Sequence, residues 1–168
     1  MAEAESASYL KGLRVLAVDD EVDVLDTIED VLDEALVDRA LDYDTAVKKL
    51  QDTPYDLAIL DIMGVSGLAL LTEAVDKGIP TVMLTAHAMN PETLKTSISS
   101  GALSYLPKEE LSNLDDVLNA LLGASRQGRS TWELLFERLG RFFEKSFGPQ
   151  WARNDPEFWQ AYGYIIHP

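Results

Sequence analysis

Residues 57–61 read Leu-Ala-Ile-Leu-Asp (LAILD), and this run decides the fold. Four apolar side chains in a row, closed by a carboxylate, are too short for a helix and too continuous for a strand with one wet face. They suit a strand covered on both faces, as in a parallel sheet. Val15-Leu16-Ala17-Val18 and Thr81-Val82-Met83-Leu84 read the same way, while Leu41 to Tyr43 and Leu103 to Leu106 are weaker runs that bring the expected count to five strands. Helical spacings of three and four lie between them, in Leu25, Ile28, Leu32 and Ala35 and again in Leu114, Val117, Leu118 and Leu121. Asn90-Pro91-Glu92 supplies a cap followed by proline at the first helical position. Ser112 with Asp115 fits another helix start, and Gly78 and Gly101 stand where helices should stop. The expected architecture is α/β, with β-α repeated five times into a five-stranded parallel sheet with helices on both faces. In such sheets the site lies beyond the carboxyl ends of the strands.

Those strand ends carry an ordered set of reactive groups. The first run ends in Asp19-Asp20-Glu21, the third in Asp61, the fourth in Thr85-Ala86, and the fifth is followed by Lys108. Carboxylates gathered at one edge repel, by roughly 4 kcal/mol for a pair 4 Å apart at a surface-like dielectric. Either their pKa values rise or a cation neutralises them. A hard oxygen set suits Mg²⁺, which binds through one or two carboxylates together with phosphate oxygens. The combination fits phosphoryl transfer to a carboxylate, with Asp61 as nucleophile and Lys108 balancing charge on the phosphoryl oxygens. Thr85 can hydrogen-bond the attached group, and Ala86 leaves room beside it.

Val15 to Glu21 (VLAVDDE), LAILD, Leu84-Thr85-Ala86 and Tyr105-Leu106-Pro107-Lys108 resemble the receiver domains of two-component response regulators over residues 11–122. The resemblance implies a (βα)5 flavodoxin-like receiver. It implies Asp61 as phosphoacceptor, and Mg²⁺ held by Asp20, Asp61 and the backbone carbonyl of Met63, with Asp19 acting at least through water. Thr85 becomes the switch hydroxyl, Lys108 the phosphate partner, and Tyr105 the aromatic that turns inward when Thr85 is drawn to the phosphoryl group. Met63 and His87 occupy the positions that tune dephosphorylation. Two departures stand out. The loop Ile62 to Gly67 is about two residues shorter than usual and has no proline. Pro107 precedes Lys108 and Glu109 follows it, so the customary cis Lys–Pro bond cannot form.

The implied function is a phosphorelay receiver that takes its phosphoryl group from a histidine kinase or phosphotransfer protein and presents a switched surface to a downstream protein. It would be no enzyme beyond its own phosphorylation and dephosphorylation. The alternative is a receiver-like protein-binding module independent of phosphate. An aspartyl-phosphate hydrolase would carry Asp-x-Asp after the first strand, whereas Val22 stands two beyond Asp20. A flavodoxin-like cofactor binder would need a Gly/Thr/Ser-rich phosphate loop there.

The 168 residues carry a net charge of −15 and no cysteine. Residues 1–125 hold 8 Lys and Arg against 24 Asp and Glu, a field that disfavours nucleic acid and anionic membranes. No run approaches the roughly 18 apolar residues of a membrane span, and a cytoplasmic location is expected. The chain divides into a flexible N-terminus (1–10), the receiver (11–123), a polar linker (124–131) and an amphipathic helical extension (132–168). In the extension Trp132, Leu135, Phe136, Leu139, Phe143 and Phe147 form one helical stripe that Gly148-Pro149 ends, and Asp155-Pro156 caps a last turn. Such a stripe is too apolar to stay bare. It can pack on its own receiver, pair with a second copy as a homodimer, or receive a partner. A DNA-binding output domain is not expected.

Overall fold

Three apolar runs form the centre of the sheet in the computed structural model, which describes residues 8–63, 65–86 and 90–164. They are β1 (Arg14–Val18), β3 (Leu57–Asp61) and β4 (Thr81–Thr85), and every residue of β3 and β4 is buried. β2 (Leu36–Ala40) and β5 (Ser104–Pro107) are the edges of an all-parallel sheet ordered β2-β1-β3-β4-β5. The chain steps outward from β1 to β2 and then crosses back to β3. The cleft between β1 and β3 is therefore the point where the order reverses, and a ligand site belongs above it. Right-handed crossovers put α1 (Val22–Val31) and α5 (Leu114–Arg126) on one face. They put α2 (Tyr43–Asp52), α3 (Gly67–Asp76) and α4 (Pro91–Ser99) on the other.

The second strand is not where the apolar run suggested. Leu41 and Asp42 are loop and Tyr43 opens α2, because the Asp42 carboxylate accepts from Thr45 N and caps that helix. The strand is instead Leu-Val-Asp-Arg-Ala, half exposed at the sheet edge, where its polar side chains find partners on neighbouring elements. Tyr55 donates its hydroxyl to Asp38, and Arg39 pairs with Asp26 and Glu29 of α1. The helix α1 stops at Val31, short of Ala35. Ser112 does not cap α5 either: a 3-10 turn over Lys108–Asn113 runs into that helix. The Asn90 cap with Pro91, and the positive φ of Gly78 and Gly101, stand as expected.

The domain edges shift for physical reasons. Leu10, assigned to a flexible terminus, is buried, and Tyr9 N donates to the Asn119 side chain of α5 at 2.8 Å. Ala124 to Arg126, assigned to the linker, continue α5, and Thr131 begins the next helix, leaving Gln127 to Ser130 between them. That helix, α6 (Thr131–Phe147), is capped by Ser130 accepting from Glu133 N. Gly148, at φ 95°, follows its end. A 3-10 turn (Trp151–Asn154) and α7 (Pro156–Ala161) complete the extension, with Asp155 capping α7.

The stripe of α6 packs against α5 and β5 of its own receiver, the first of its three possible occupants. Thr131 Oγ1 donates to Leu103 O at 2.8 Å and Trp132 Nε1 to Ala102 O at 3.2 Å, so the helix start is tied to the backbone just before β5. Phe143 is fully buried, worth about 2–3 kcal/mol by area alone. Around it Phe136, Phe147, Trp151 and Trp159 form one continuous aromatic cluster. Among the described residues no helix is long and apolar enough to cross a membrane.

Candidate functional site

Parallel register brings the predicted groups to one edge. Asp19 follows β1, Asp61 closes β3, Thr85 closes β4 and Lys108 follows β5. Asp61 sits opposite Leu84, and Thr85 opposite Pro107. Lys108 Nζ reaches back over the sheet to lie 3.0 Å from Asp19 Oδ2, 3.4 Å from Asp61 Oδ1 and 4.0 Å from Glu21 Oε1. The absent Lys–Pro bond does not keep the ammonium out: among the described residues no peptide is cis, and Lys108 still fills the pocket.

Asp19 is wholly buried. Its Oδ1 accepts from Glu21 N at 2.9 Å, while Oδ2 faces Lys108 as an ion pair without an aligned hydrogen bond. Asp61 is 4% exposed. Burial, then the charge of Asp19, pushes its carboxyl up to about 6. Lys108 pulls the other way without winning, and Asp20 adds a further upward push. Burial works hardest against the Lys108 ammonium, yet Asp19, Asp61 and Glu21 together hold its pKa above the ordinary value. One cation thus serves a cluster of carboxylates, and the site has negative charge to spare.

That surplus fits a divalent ion. Asp19, Asp20 and Glu21 can each offer an oxygen within 4.8 Å of the others, and Asp19 Oδ2 is a buried acceptor lacking an aligned donor. All the donors are hard oxygens, as Mg²⁺ requires. Met63 is 70% exposed on the loop directly after β3. His87 lies outside the described residues.

Thr85 is buried, with Oγ1 donating to the Ala86 carbonyl at 3.2 Å. Tyr105 is wholly buried in β5, and its hydroxyl has no hydrogen-bond partner among the described residues. Burial raises the phenol pKa, and the nearby hydroxyls of Thr85 and Thr93 draw it back in part. The ring therefore points toward the β4–α4 side, yet Thr85 and Tyr105 are neighbours without a bond between them.

Glu21, read in the sequence as part of the acidic end of the first run but given no role of its own, completes the acidic trio. The contact that escaped the sequence reading is that of Gly67. The short loop after Asp61 turns through Ser66 at φ 54° and returns so closely that a Cβ on residue 67 would stand 2.0 Å from the Asp61 carbonyl oxygen. Only glycine fits that approach, and the shortness of the loop was its one trace in the sequence.

The family model of the response regulator receiver domain matches residues 15–121. The phosphate regulon transcriptional regulatory protein PhoB of Klebsiella pneumoniae is 32% identical over 121 residues, covering 64% of this chain and 52% of that protein. The two-component response regulator EHD1 of Oryza sativa subsp. indica is 36% identical over 114 residues, covering 61% of this chain and 33% of that one. Among solved structures, NtrX from Brucella abortus has a TM-score of 0.62 at 32% identity, over 74% of this chain and 29% of its own. A CheY-like receiver domain protein from Methanospirillum hungatei has a TM-score of 0.58 at 23% identity over 70% of this chain and 99% of its own, a likeness of fold. The chain thus spans about half the length of PhoB, and the family match ends before α6.

Proposed function

Because the chain belongs to the response regulator receiver domain family of two-component systems, we propose that it accepts a phosphoryl group on Asp61 from a histidine kinase or phosphotransfer protein. The observation that carries this reading is the position of Lys108 Nζ, within 3.4 Å of Asp61 and 3.0 Å of Asp19, at the carboxyl edge of the sheet. An ionised Asp61 oxygen attacks phosphorus in line. The bond from phosphorus to the donor nitrogen breaks, and its electron pair leaves with the imidazole. Lys108 balances charge on the phosphoryl oxygens as they approach the buried carboxylates. Asp19, Asp20 and Asp61, with the Met63 carbonyl, would hold Mg²⁺, which supplies the remaining positive charge when bound. Thr85 then leaves the Ala86 carbonyl for a phosphoryl oxygen. Tyr105 follows, and the surface around β5 changes for a downstream protein. The chemistry is confined to the protein's own phosphorylation and dephosphorylation, and the compartment of this partner chemistry is the cytoplasm.

The test is incubation with acetyl phosphate and Mg²⁺, read on a phosphate-affinity gel. The wild type should shift, and neither Asp61→Asn nor the wild type in EDTA should do so. Equal labelling of Asp61→Asn would overturn the assignment.

A further inference from the structure

β5 is an edge strand, and the extension is anchored both beside it and on the neighbouring helix α4. Just before β5, α6 is tied to the carbonyls of Ala102 and Leu103 through Trp132 and Thr131. On α4, Lys95 pairs with Asp155 at the start of α7, and its ammonium lies 4.8 Å from the centre of the Phe158 ring. Between these anchors Phe143 packs on Tyr105, with ring centres 6.4 Å apart and planes inclined at 46°. Both rings are fully buried. Tyr105 thus lies between two sets of neighbours, the Thr85 and Thr93 hydroxyls near its phenol end, to which it makes no hydrogen bond, and the aromatic cluster of the extension behind it.

From this arrangement we infer that residues 131–164 are a built-in ligand of the β5 face. Phe143 is its positioning residue and holds Tyr105 toward Thr85, so that docking of the extension and phosphorylation of Asp61 favour each other. The inference rests on the phosphoacceptor reading of Asp61. Its physical basis is linkage. The linkage takes Tyr105 as the element that changes position, and its single position in the structure, buried against Phe143, as the one that the extension favours. Phosphorylation draws Thr85 off the Ala86 carbonyl and opens space for the phenol, whose hydroxyl lacks a partner among the described residues. Both events select the same ring position, so each must strengthen the other.

The experiment uses the full chain with acetyl phosphate and Mg²⁺, and with Mg²⁺ alone as control. Intact mass measures the Asp61 adduct, and hydrogen exchange followed by mass spectrometry measures protection in the same samples. In modified protein the amides of residues 131–164 should exchange about fivefold more slowly or less, and Phe143→Ala should label about fivefold more slowly than wild type, at the lower end of allosteric couplings. A purely structural Phe143 would lower the melting temperature and leave the labelling rate of the folded protein unchanged; that result overturns the inference. Lys95→Ala removes a partly exposed anchor, carries the same expectation of slower labelling, and decides the matter if Phe143→Ala does not fold. Unchanged or faster exchange in 131–164 with Asp61 modified overturns the inference alone. Absence of any adduct removes the phosphoacceptor reading and the inference with it.

Discussion

Replacing Asp61 by Asn should make the protein more stable at neutral pH, although a buried polar side chain is being changed. The carboxyl, only 4% exposed, is pushed from an ordinary 3.8 to about 6. Between those values the folded protein keeps a proton that the unfolded chain has released, so stability falls as pH rises through that window. At about 1.4 kcal/mol for each tenfold change in proton affinity, the ionised group costs the fold about 3 kcal/mol at pH 7. Asn has the same shape and no charge, and removing that cost corresponds to roughly 6–12 °C in melting temperature for a chain of this size. Thermal unfolding followed by circular dichroism, in EDTA, should show Asp61→Asn melting higher at about pH 7.5. The gap should close near pH 4, where the wild-type carboxyl carries its proton. A variant that melts at or below the wild type at about pH 7.5 would refute the argument, because the pocket would then be compensating Asp61 fully.

Gly67→Ala should destabilise by about 3 kcal/mol or more in denaturant unfolding, because the added Cβ would stand 2.0 Å from the Asp61 carbonyl oxygen and must push the Asp61 backbone aside. Lys108→Ala leaves Asp19 and Asp61 without their counter-charge, a loss of about 3–5 kcal/mol for a broken buried pair. With Lys108 gone the Asp61 carboxyl moves further up, so that loss should be larger near pH 7.5 than near pH 5, as unfolding at the two pH values will show. Mg²⁺ at a hundred times its dissociation constant should stabilise the wild type by about 2.7 kcal/mol. A flat melting temperature across the titration would contradict the metal reading, and Asp20→Ala should weaken the response.

Legibility in the sequence followed burial. β1, β3 and β4 lie inside the sheet and must be apolar on both faces, so Val15 to Val18, Leu57 to Leu60 and Thr81 to Leu84 were readable as continuous runs. β2 was not, because an edge strand tolerates Asp38 and Arg39 when Tyr55, Asp26 and Glu29 satisfy them. The neighbouring Leu41 to Tyr43 is more apolar yet contains a helix cap. The reactive groups at the strand ends were readable for a related reason: register in a parallel sheet converts the end of each run into a shared edge.

Contacts between distant segments were hidden. That Phe143 would meet Tyr105, or that Gly67 would lie against the Asp61 carbonyl, depends on how elements return in space. No period in the sequence carries that information. The aromatic stripe announced that something must cover it, and its own β5 face proved to be the cover.

The most direct measurement is peptide mapping by mass spectrometry after brief treatment with acetyl phosphate and Mg²⁺. One phosphoryl group should appear on the peptide containing Asp61, be lost to hydroxylamine, and be absent from Lys108→Ala over the same interval. A stable adduct on a hydroxyl residue, or an unmodified Asp61 in well-folded protein, would contradict the account.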